Sequence, residues 1–393
     1  MPGREIMIAG GGIGGVSAAL CFAQQGDTVQ VFEQSDIFGE VGAGIQLSPN
    51  CTRVLHHLGL APALDAVAFR PRGTQMRDWR SGEVITENVL GDDVKTAYGF
   101  PYYHIHRGDL MQVLAEAAAA SPRITLHTGA RVTDVEQTDD TVAINAGGRR
   151  FDGDLLVGAD GIHSMVRGAL FGPDAPTFTG NIAWRALIPT DRLPADLVQP
   201  VATAWWGPGK HFVHYYVRGG ALVNCVCVVE KAGWTQESWT ERGDHGELKA
   251  DFAGWHDDIQ CLIDNMDREA CFKWALFDRP PMPVWSRGRV TLLGDACHPT
   301  LPFMAQGAAM AIEDGAVLAS CVAASTDITA GLQHYEGLRR ERTSRIQDGS
   351  RRNARLFHLS GADAARRNES VAASRGQVLD WLYRYDALSV ASA

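Results

Sequence analysis

A chain of 393 residues has room for two or three domains and a large core, and 45% hydrophobic with 21% charged residues is ordinary for a soluble protein. The formal net charge of −10 argues against a general nucleic-acid binder and gives no pull towards an anionic membrane. Neither a bilayer-length apolar run nor a basic-then-apolar leader is evident, and eight scattered cysteines without Cys-x-x-Cys spacing suggest buried thiols in a reducing, cytoplasmic setting.

Glu5 to Ala9 reads as a short apolar strand, followed directly by Gly10-Gly11-Gly12-Ile13-Gly14-Gly15. A helix-like run from Val16 to Gln25, a strand from Thr28 to Phe32 and the acid Glu33 complete the order of a dinucleotide-binding unit. Gly10 permits the tight turn, Gly12 lets backbone approach a pyrophosphate, and Gly15 lets the helix pack close to its strand. Glu33 can hold a ribose hydroxyl pair. A single such unit implies one tightly held dinucleotide, with any nicotinamide partner a transient visitor. Gly39, Gly42 and Gly44, closely followed by Gln46, form a second glycine-dense loop, either a plain surface loop or a place of close ligand approach.

Arg107 precedes the amphipathic stretch Leu110 to Ala120 and can reach a phosphate or serve in a capping ion pair at Asp109, which the spacing favours. Strands are expected over Ile124–Thr128, Arg131–Val135, Val142–Ile144 and Asp154–Val157, the last running into Asp160-Gly161. Beyond Phe178 the texture changes. Ile182–Ile188, Val201–Trp206, His211–Val217 and Leu222–Val229 predict an inserted sheet that walls a pocket. Strand alternation puts His211, Val213 and Tyr215 on one face and Phe212, His214 and Tyr216 on the other. Cys225 and Cys227 should likewise share a side. Trp234 to Asp267 reads as mostly helical, and Phe277 to Pro283 as a Pro-rich return ending at Trp285.

Val290 to Leu293 predicts another buried strand, followed by a polar loop with Asp295, His298, Pro299 and Pro302. After Gly307 comes a helix whose first turn has almost no side-chain bulk, which suits a flat ligand on a helix N-terminus. From Gly331 the chain is helical and basic, with Arg339, Arg342 and Arg367 among its arginines, and reads as a solvated helix face or the subunit contact of a homodimer. Trp381 to Tyr385 is expected to dock on the body.

Gly10 to Gly15, Asp160-Gly161, and Gly294-Asp295-Ala296 with His298-Pro299 and Gln306-Gly307-Ala308 stand in a familiar order. The chain resembles single-component FAD-dependent aromatic hydroxylases from about Arg4 to Asp386, and Cys297, Pro302 and Ala311-Ile312-Glu313-Asp314 resemble the salicylate hydroxylase branch. The resemblance implies a three-layer α/β fold: a Rossmann-like FAD-binding domain, an inserted mixed β-sheet substrate domain and a helical C-terminus. The expected boundaries are 1–177 (with 70–100 lent to the substrate domain), 178–285, 286–330 for the second FAD-binding part, and 331–393.

It also implies FAD held by Gly12, Gly15, Glu33, Gln46, Arg107, Val132, Asp160, Asp295, Gly307 and Ala308, with NADH or NADPH as transient co-substrate and no metal. The activity implied is hydroxylation of a small hydroxylated aromatic or N-heteroaromatic acid by O2 through a flavin C4a-hydroperoxide, on substrates such as salicylate, 3-hydroxybenzoate or 6-hydroxynicotinate. Such chemistry wants a base near the phenol, and the family match picks His211 with Tyr215. Arg185, Lys210 and Arg218 are candidate carboxylate anchors, and Pro302 favours salicylate-type ortho- or ipso-attack. An oxidase or halogenase on the same fold, or a flavin-binding sensor without catalysis, is the alternative.

Overall fold

Short apolar runs buried on both faces belong in a parallel sheet, and that is where the N-terminal strands go. The computed structural model describes residues 3–37, 43–231, 233, 241–374 and 379–392. Six strands are ordered Ser286–Arg287, Val290–Leu292, Leu155–Gly158, Glu5–Ala9, Thr28–Phe32 and Ile124–His127. All pair in parallel except the first, a short antiparallel edge. The helices Ile13–Gln24, Arg107–Ala120 and Gly307–Ala324 pack on one face. A three-stranded antiparallel sheet (Val132–Gln137, Val142–Ala146, Arg149–Gly153) covers the other, where Phe151 meets Phe32 edge-on at 4.7 Å. These are the three expected layers.

The inserted sheet has seven strands, in the order Phe272–Asp278, Thr177–Pro189, Leu222–Glu230, Lys210–Val217, Val201–Gly207, Gly73–Asp78 and Val84–Val89. It is mixed, because Val201–Gly207 runs parallel to Gly73–Asp78 while the other neighbours are antiparallel. One face carries Trp184, Phe212, Cys225 and Cys227 into a separate core with Leu248, Phe252, Ile259 and Leu262. Leu248 and Phe252 come from the helix His245–Asp251 and its C-terminal cap, and Ile259 and Leu262 from the helix Asp257–Asp264, the described part of the expected helical stretch. The opposite face looks back at the parallel sheet across a cavity. Gly39 and Gly42 lie outside the described residues, whereas Gly44 opens a short strand, Gly44–Leu47.

The basic C-terminal segment is not simply a solvated face. It forms a helix over Ile328–Phe357, started by the Asp327 carboxylate accepting from the Thr329 amide at 3.0 Å. Arg339 and Arg342 turn inward, because Glu313 and Asp314 lie fully buried on the facing helix Gly307–Ala324. Arg339 pairs with Glu313 and with Asp314 at 2.7 Å each, and Arg342 with Glu313 at 2.7 Å. His298 Nε2 lies 2.6 Å from Asp314, whose carboxylate also accepts from the Gly294 amide at 3.0 Å. Thus His298 shapes its loop, as its neighbour Pro299 suggests. Gly307–Ala324 is also the one described helix long and apolar enough to cross a membrane, but it lies mostly buried in the core. The chain end docks as expected, with Leu382 and Tyr383 packed against Met310 and Ile346.

Removing one partner of a buried pair leaves an uncompensated charge. Arg339→Met is therefore expected to destabilise the fold by roughly 3–5 kcal/mol in chemical denaturation. Arg366→Met, at an exposed ion pair with Asp363, should change it by less than about 1 kcal/mol. Asp314 is held down to about 2 from an ordinary 3.8, with burial opposed and outweighed by His298 and Arg339. Its contribution is present above its unfolded value and is lost as pH falls through about 2. Similar denaturation midpoints for Arg339→Met and Arg366→Met would remove this network from the account of stability.

Candidate active site

A cavity of about 1200 Å³ runs along the C-terminal ends of the parallel strands and under the mixed sheet. Ordinary ligand pockets hold roughly 300–1,000 Å³, so there is room for a dinucleotide and a small ring together. The strands Glu5–Ala9, Thr28–Phe32, Leu155–Gly158 and Val290–Leu292 each deliver the residues that follow them to its wall: Gly10, Glu33, Asp160 and Asp295.

At one end lies the glycine turn. A Cβ on Gly12 would meet no protein atom within 4 Å and would stand in the cavity, a cradle left clear for a ligand. Gly12 also precedes the helix Ile13–Gln24, which has no side-chain cap and no acid in its first turn, so its N-terminus favours a pyrophosphate. Gly15 does not line the cavity: a Cβ there would sit 2.0 Å from the Gly10 carbonyl oxygen, and its role is the close helix-to-strand packing expected of it. The Glu33 carboxylate accepts from the Gly11 and Ser35 amides at 2.8 Å each and faces the same space. Val132 and Gln46 line it too, and Gln46 Oε1 accepts from the Tyr102 hydroxyl at 2.7 Å.

The middle is charged. Asp109 pairs with Arg218 at 2.8 Å and His106 at 3.5 Å, and the favoured capping pair with Arg107 is not what its carboxylate makes. Arg107 instead lines the cavity with its charge opposite Asp295, and its pKa is lowered mainly by burial. Asp295 is exposed to the cavity yet enclosed by protein. Burial raises its carboxyl pKa, opposed by His298 and Arg107, and its carboxylate faces the space in which a polyol's hydroxyl groups would donate to it. Asp160 uses its carboxylate locally, accepting from Ser164 Oγ and from the amides of Met165 (2.7 Å) and Val166 (3.1 Å). It thereby starts the helix Met165–Phe171 and presents the Gly161 turn to the cavity. Gly307 and Ala308 open the small-residue helix, and its N-cap Gln306 points its amide away, donating to Ser48 Oγ at 2.9 Å.

At the other end the strand Lys210–Val217 shows the alternation read from its sequence. His211, Val213 and Tyr215 line the cavity, while Phe212 enters the second core and His214 accepts from Trp205 Nε1 at 3.0 Å. His211 sits between the edges of Phe303 (5.1 Å) and Phe357 (5.4 Å), and its Nδ1 lies 2.8 Å from His358 Nε2. Burial first, then His358, lowers its pKa well below 6.5, so it stays neutral with a lone pair to offer. Tyr215 packs on His104 at 4.6 Å, and burial raises its phenol pKa.

Two candidate anchors fall away. Lys210 donates to the Asp251 carbonyl and Arg218 is tied to Asp109; neither lines the cavity. Arg185 is buried behind the wall, its guanidinium 3.8 Å from the centre of the cavity-lining Trp274 ring. Sequence reasoning missed the C-terminal share of the site, where Asn353, Phe357 and Arg367 also line the cavity. The signal was the apolar-His pair Phe357-His358 at the end of an otherwise basic helix.

The glycine cradle, the uncapped helix, the acid after the second strand and the cavity-facing Asp295 fit FAD, and together they define a dinucleotide-binding flavoprotein. The family model described as "FAD binding domain" matches residues 4–351. The chain belongs to that family and is an FAD-dependent aromatic monooxygenase within it. It is 39% identical to the 3-amino-4-hydroxybenzoate 2-monooxygenase of Streptomyces platensis over 99% of this chain and 98% of that one. It is 36% identical to the 6-hydroxynicotinate 3-monooxygenase of Pseudomonas fluorescens over 98% and 96%. Among solved structures, a salicylate hydroxylase substrate complex superposes with a TM-score of 0.84 at 25% identity, covering 100% of this chain and 98% of that one.

Gly12→Leu should fold with an unchanged apoprotein melting temperature and fail to retain FAD, because only the ligand's space is filled. Gly15→Ala, which meets backbone, should lower both. Asp295→Ala is expected to weaken FAD binding by about 1.5–3 kcal/mol, the worth of a hydrogen bond to a charged group. Asp160→Ala should act first on thermal stability through its lost helix cap. Equal flavin retention in purified Asp295→Ala and Asp160→Ala proteins would remove the distinction.

Proposed function

We propose that this enzyme hydroxylates a small aromatic or N-heteroaromatic acid that already carries a ring hydroxyl, and that His211 takes the hydroxyl's proton. The observation that carries the reading is a buried, neutral histidine on the wall of the dinucleotide cavity, with one ring nitrogen held by His358 and the other left for a ligand. Loss of the phenolic proton makes the ring more nucleophilic, and a positioned base typically contributes about 10²–10⁴-fold to such a step. FAD, when bound, would accept two electrons from NADH or NADPH and activate O2. Gly12, Glu33, Gln46, Arg107, Val132, Asp160, Asp295, Gly307 and Ala308 are proposed to hold it, with Gly15 supporting the turn.

Tyr215 is proposed to hold the ring beside His211. Arg185 supports a carboxylate-bearing substrate through its charge near Tyr215. The named relatives support the substrate class, since 3-amino-4-hydroxybenzoate and 6-hydroxynicotinate each join a ring hydroxyl to a carboxylate. We also propose a cytoplasmic location and a division at 1–177, 178–285, 286–330 and 331–393, with 70–100 lent to the substrate sheet. The strands Gly73–Asp78 and Val84–Val89 in the mixed sheet support that loan.

The test is a panel of salicylate, 3-hydroxybenzoate, 3-amino-4-hydroxybenzoate and 6-hydroxynicotinate. At least one should stimulate NADH or NADPH oxidation and yield a hydroxylated product, and stimulation without product would sink the reading. His211→Ala should keep FAD and much of the NAD(P)H consumption while product per NAD(P)H falls and H2O2 rises. Tyr215→Phe should show a milder loss. Because the His211 pKa lies well below 6.5, its base form persists as pH falls, and the acid limb of kcat/KM should lie below pH 6.5. Wild-type coupling in His211→Ala would place the base elsewhere.

A further inference from the structure

We propose that His358 and Glu230 form a proton relay that carries the proton accepted by His211 out of the cavity to bulk water. The inference rests on the reading of His211 as the base. Three side chains from separate elements stand in line. His211 is on the strand Lys210–Val217, His358 caps the C-terminus of the helix Ile328–Phe357, and Glu230 ends the strand Leu222–Glu230. His211 Nδ1 is 2.8 Å from His358 Nε2, and His358 Nδ1 is 2.8 Å from Glu230 Oε1. The His358 side chain is 2% exposed and that of Glu230 is 55% exposed. Glu230 opens on an outer depression, with Asn181, Lys231 and Arg355 around it, that is separate from the catalytic cavity. The line therefore leads from the buried cavity to water.

The carboxylate sets the tautomers of both rings. A carboxylate only accepts, so His358 Nδ1 carries the proton that faces Glu230. Its Nε2 is then an acceptor, which places the proton of His211 on Nδ1 and leaves His211 Nε2 as the bare lone pair. When a phenol gives its proton to that lone pair, its O–H bond breaks and an Nε2–H bond forms. His211 passes its Nδ1 proton to His358 Nε2, His358 passes its Nδ1 proton to Glu230, and Glu230 releases a proton to water. One proton enters and one leaves, and no electrons move. Run in reverse, the same line returns a proton to the product oxygen and resets both rings.

The charges around His358 suit transient occupancy. Burial lowers the His358 pKa, and Glu230 and the C-terminal end of its helix work against that by favouring a proton there. Arg367 opposes the proton while donating to the carbonyls of Leu356 and Phe357. A proton arriving at His358 is thus passed on to Glu230.

The test uses the FAD-loaded enzyme without NAD(P)H, so that proton movement is read apart from turnover. The probe is 4-hydroxy-3-nitrobenzoate, whose phenolate is coloured, mixed by stopped flow with a pH-indicator dye in weak buffer at a pH below the probe's own phenol pKa, so that it enters protonated. In the wild type, phenolate formation and proton appearance in bulk should coincide. Glu230→Gln keeps an acceptor oxygen for His358 but cannot carry the proton, and His358→Phe breaks the line. Both should slow proton appearance by about tenfold or more, by analogy with the loss of a general acid–base group, while retaining FAD. Added imidazole should restore the rate in Glu230→Gln. If His211→Gln slows the release while Glu230→Gln and His358→Phe do not, the relay is wrong and the base stands. A wild-type rate in Glu230→Gln with a slow Glu230→Ala would reduce Glu230 to orienting His358, which also overturns the relay. A wild-type rate in His211→Gln, or a probe that does not bind the wild type, removes the base reading and the relay with it.

Discussion

Two adjacent carboxylates, Glu313 and Asp314, are buried without any water-facing surface on the helix that floors the cavity, and the rest of the molecule is arranged to neutralise them. Isolated charges could not remain there. Arg339 and Arg342 supply the counter-charge, His298 and the Gly294 amide satisfy Asp314, and Asn50 Nδ2 donates to Glu313 at 2.6 Å. Those partners come from the turn on either side of Asp295, the segment after the second glycine loop and the C-terminal helix. One charge cluster thereby holds the loop that carries Asp295, the small-residue helix and the long basic helix in register.

That register has consequences for the chemistry. With Arg339 and Arg342 anchored, the helix Ile328–Phe357 ends against the mixed sheet, where Phe357 and His358 meet His211. Its last turns complete the wall that the parallel sheet and the inserted sheet leave open. Helix and strand ends then divide the cavity by charge: amide-rich and open at Gly12, carboxylate with guanidinium at Asp295 and Arg107, and apolar with neutral imidazole at Phe303, Phe357 and His211. A dinucleotide suits the first two regions and an aromatic acid the third.

Neighbouring glycines are used in opposite ways. Gly15 is empty because backbone occupies the space a side chain would need, whereas Gly12 is empty although the protein leaves that space free. The first is a demand of packing and the second of ligand. Gly44 belongs with the first, since a Cβ there would come within 2.7 Å of Tyr215 and 2.8 Å of Asn224, whose side-chain oxygen accepts from the Gly44 amide.

Features set by neighbouring residues were legible in the chain alone: the glycine turn and its flanking strands, the alternation that sends His211, Val213 and Tyr215 to one face, and the unbulky helix start at Gly307. Steric limits on the backbone and the two-residue period of a strand act within a few positions, so they can be read without the fold. Partner choice between distant segments could not be read that way. Arg339 and Arg342 look like any exposed arginines until Glu313 and Asp314 are buried opposite them, and Arg107 and Asp109 look like a pair until Arg218 arrives. His211 and His358 are 147 residues apart, and no local pattern announces that they touch. Only the closing of the long helix onto the mixed sheet, enforced by buried charge, brings those two imidazoles together.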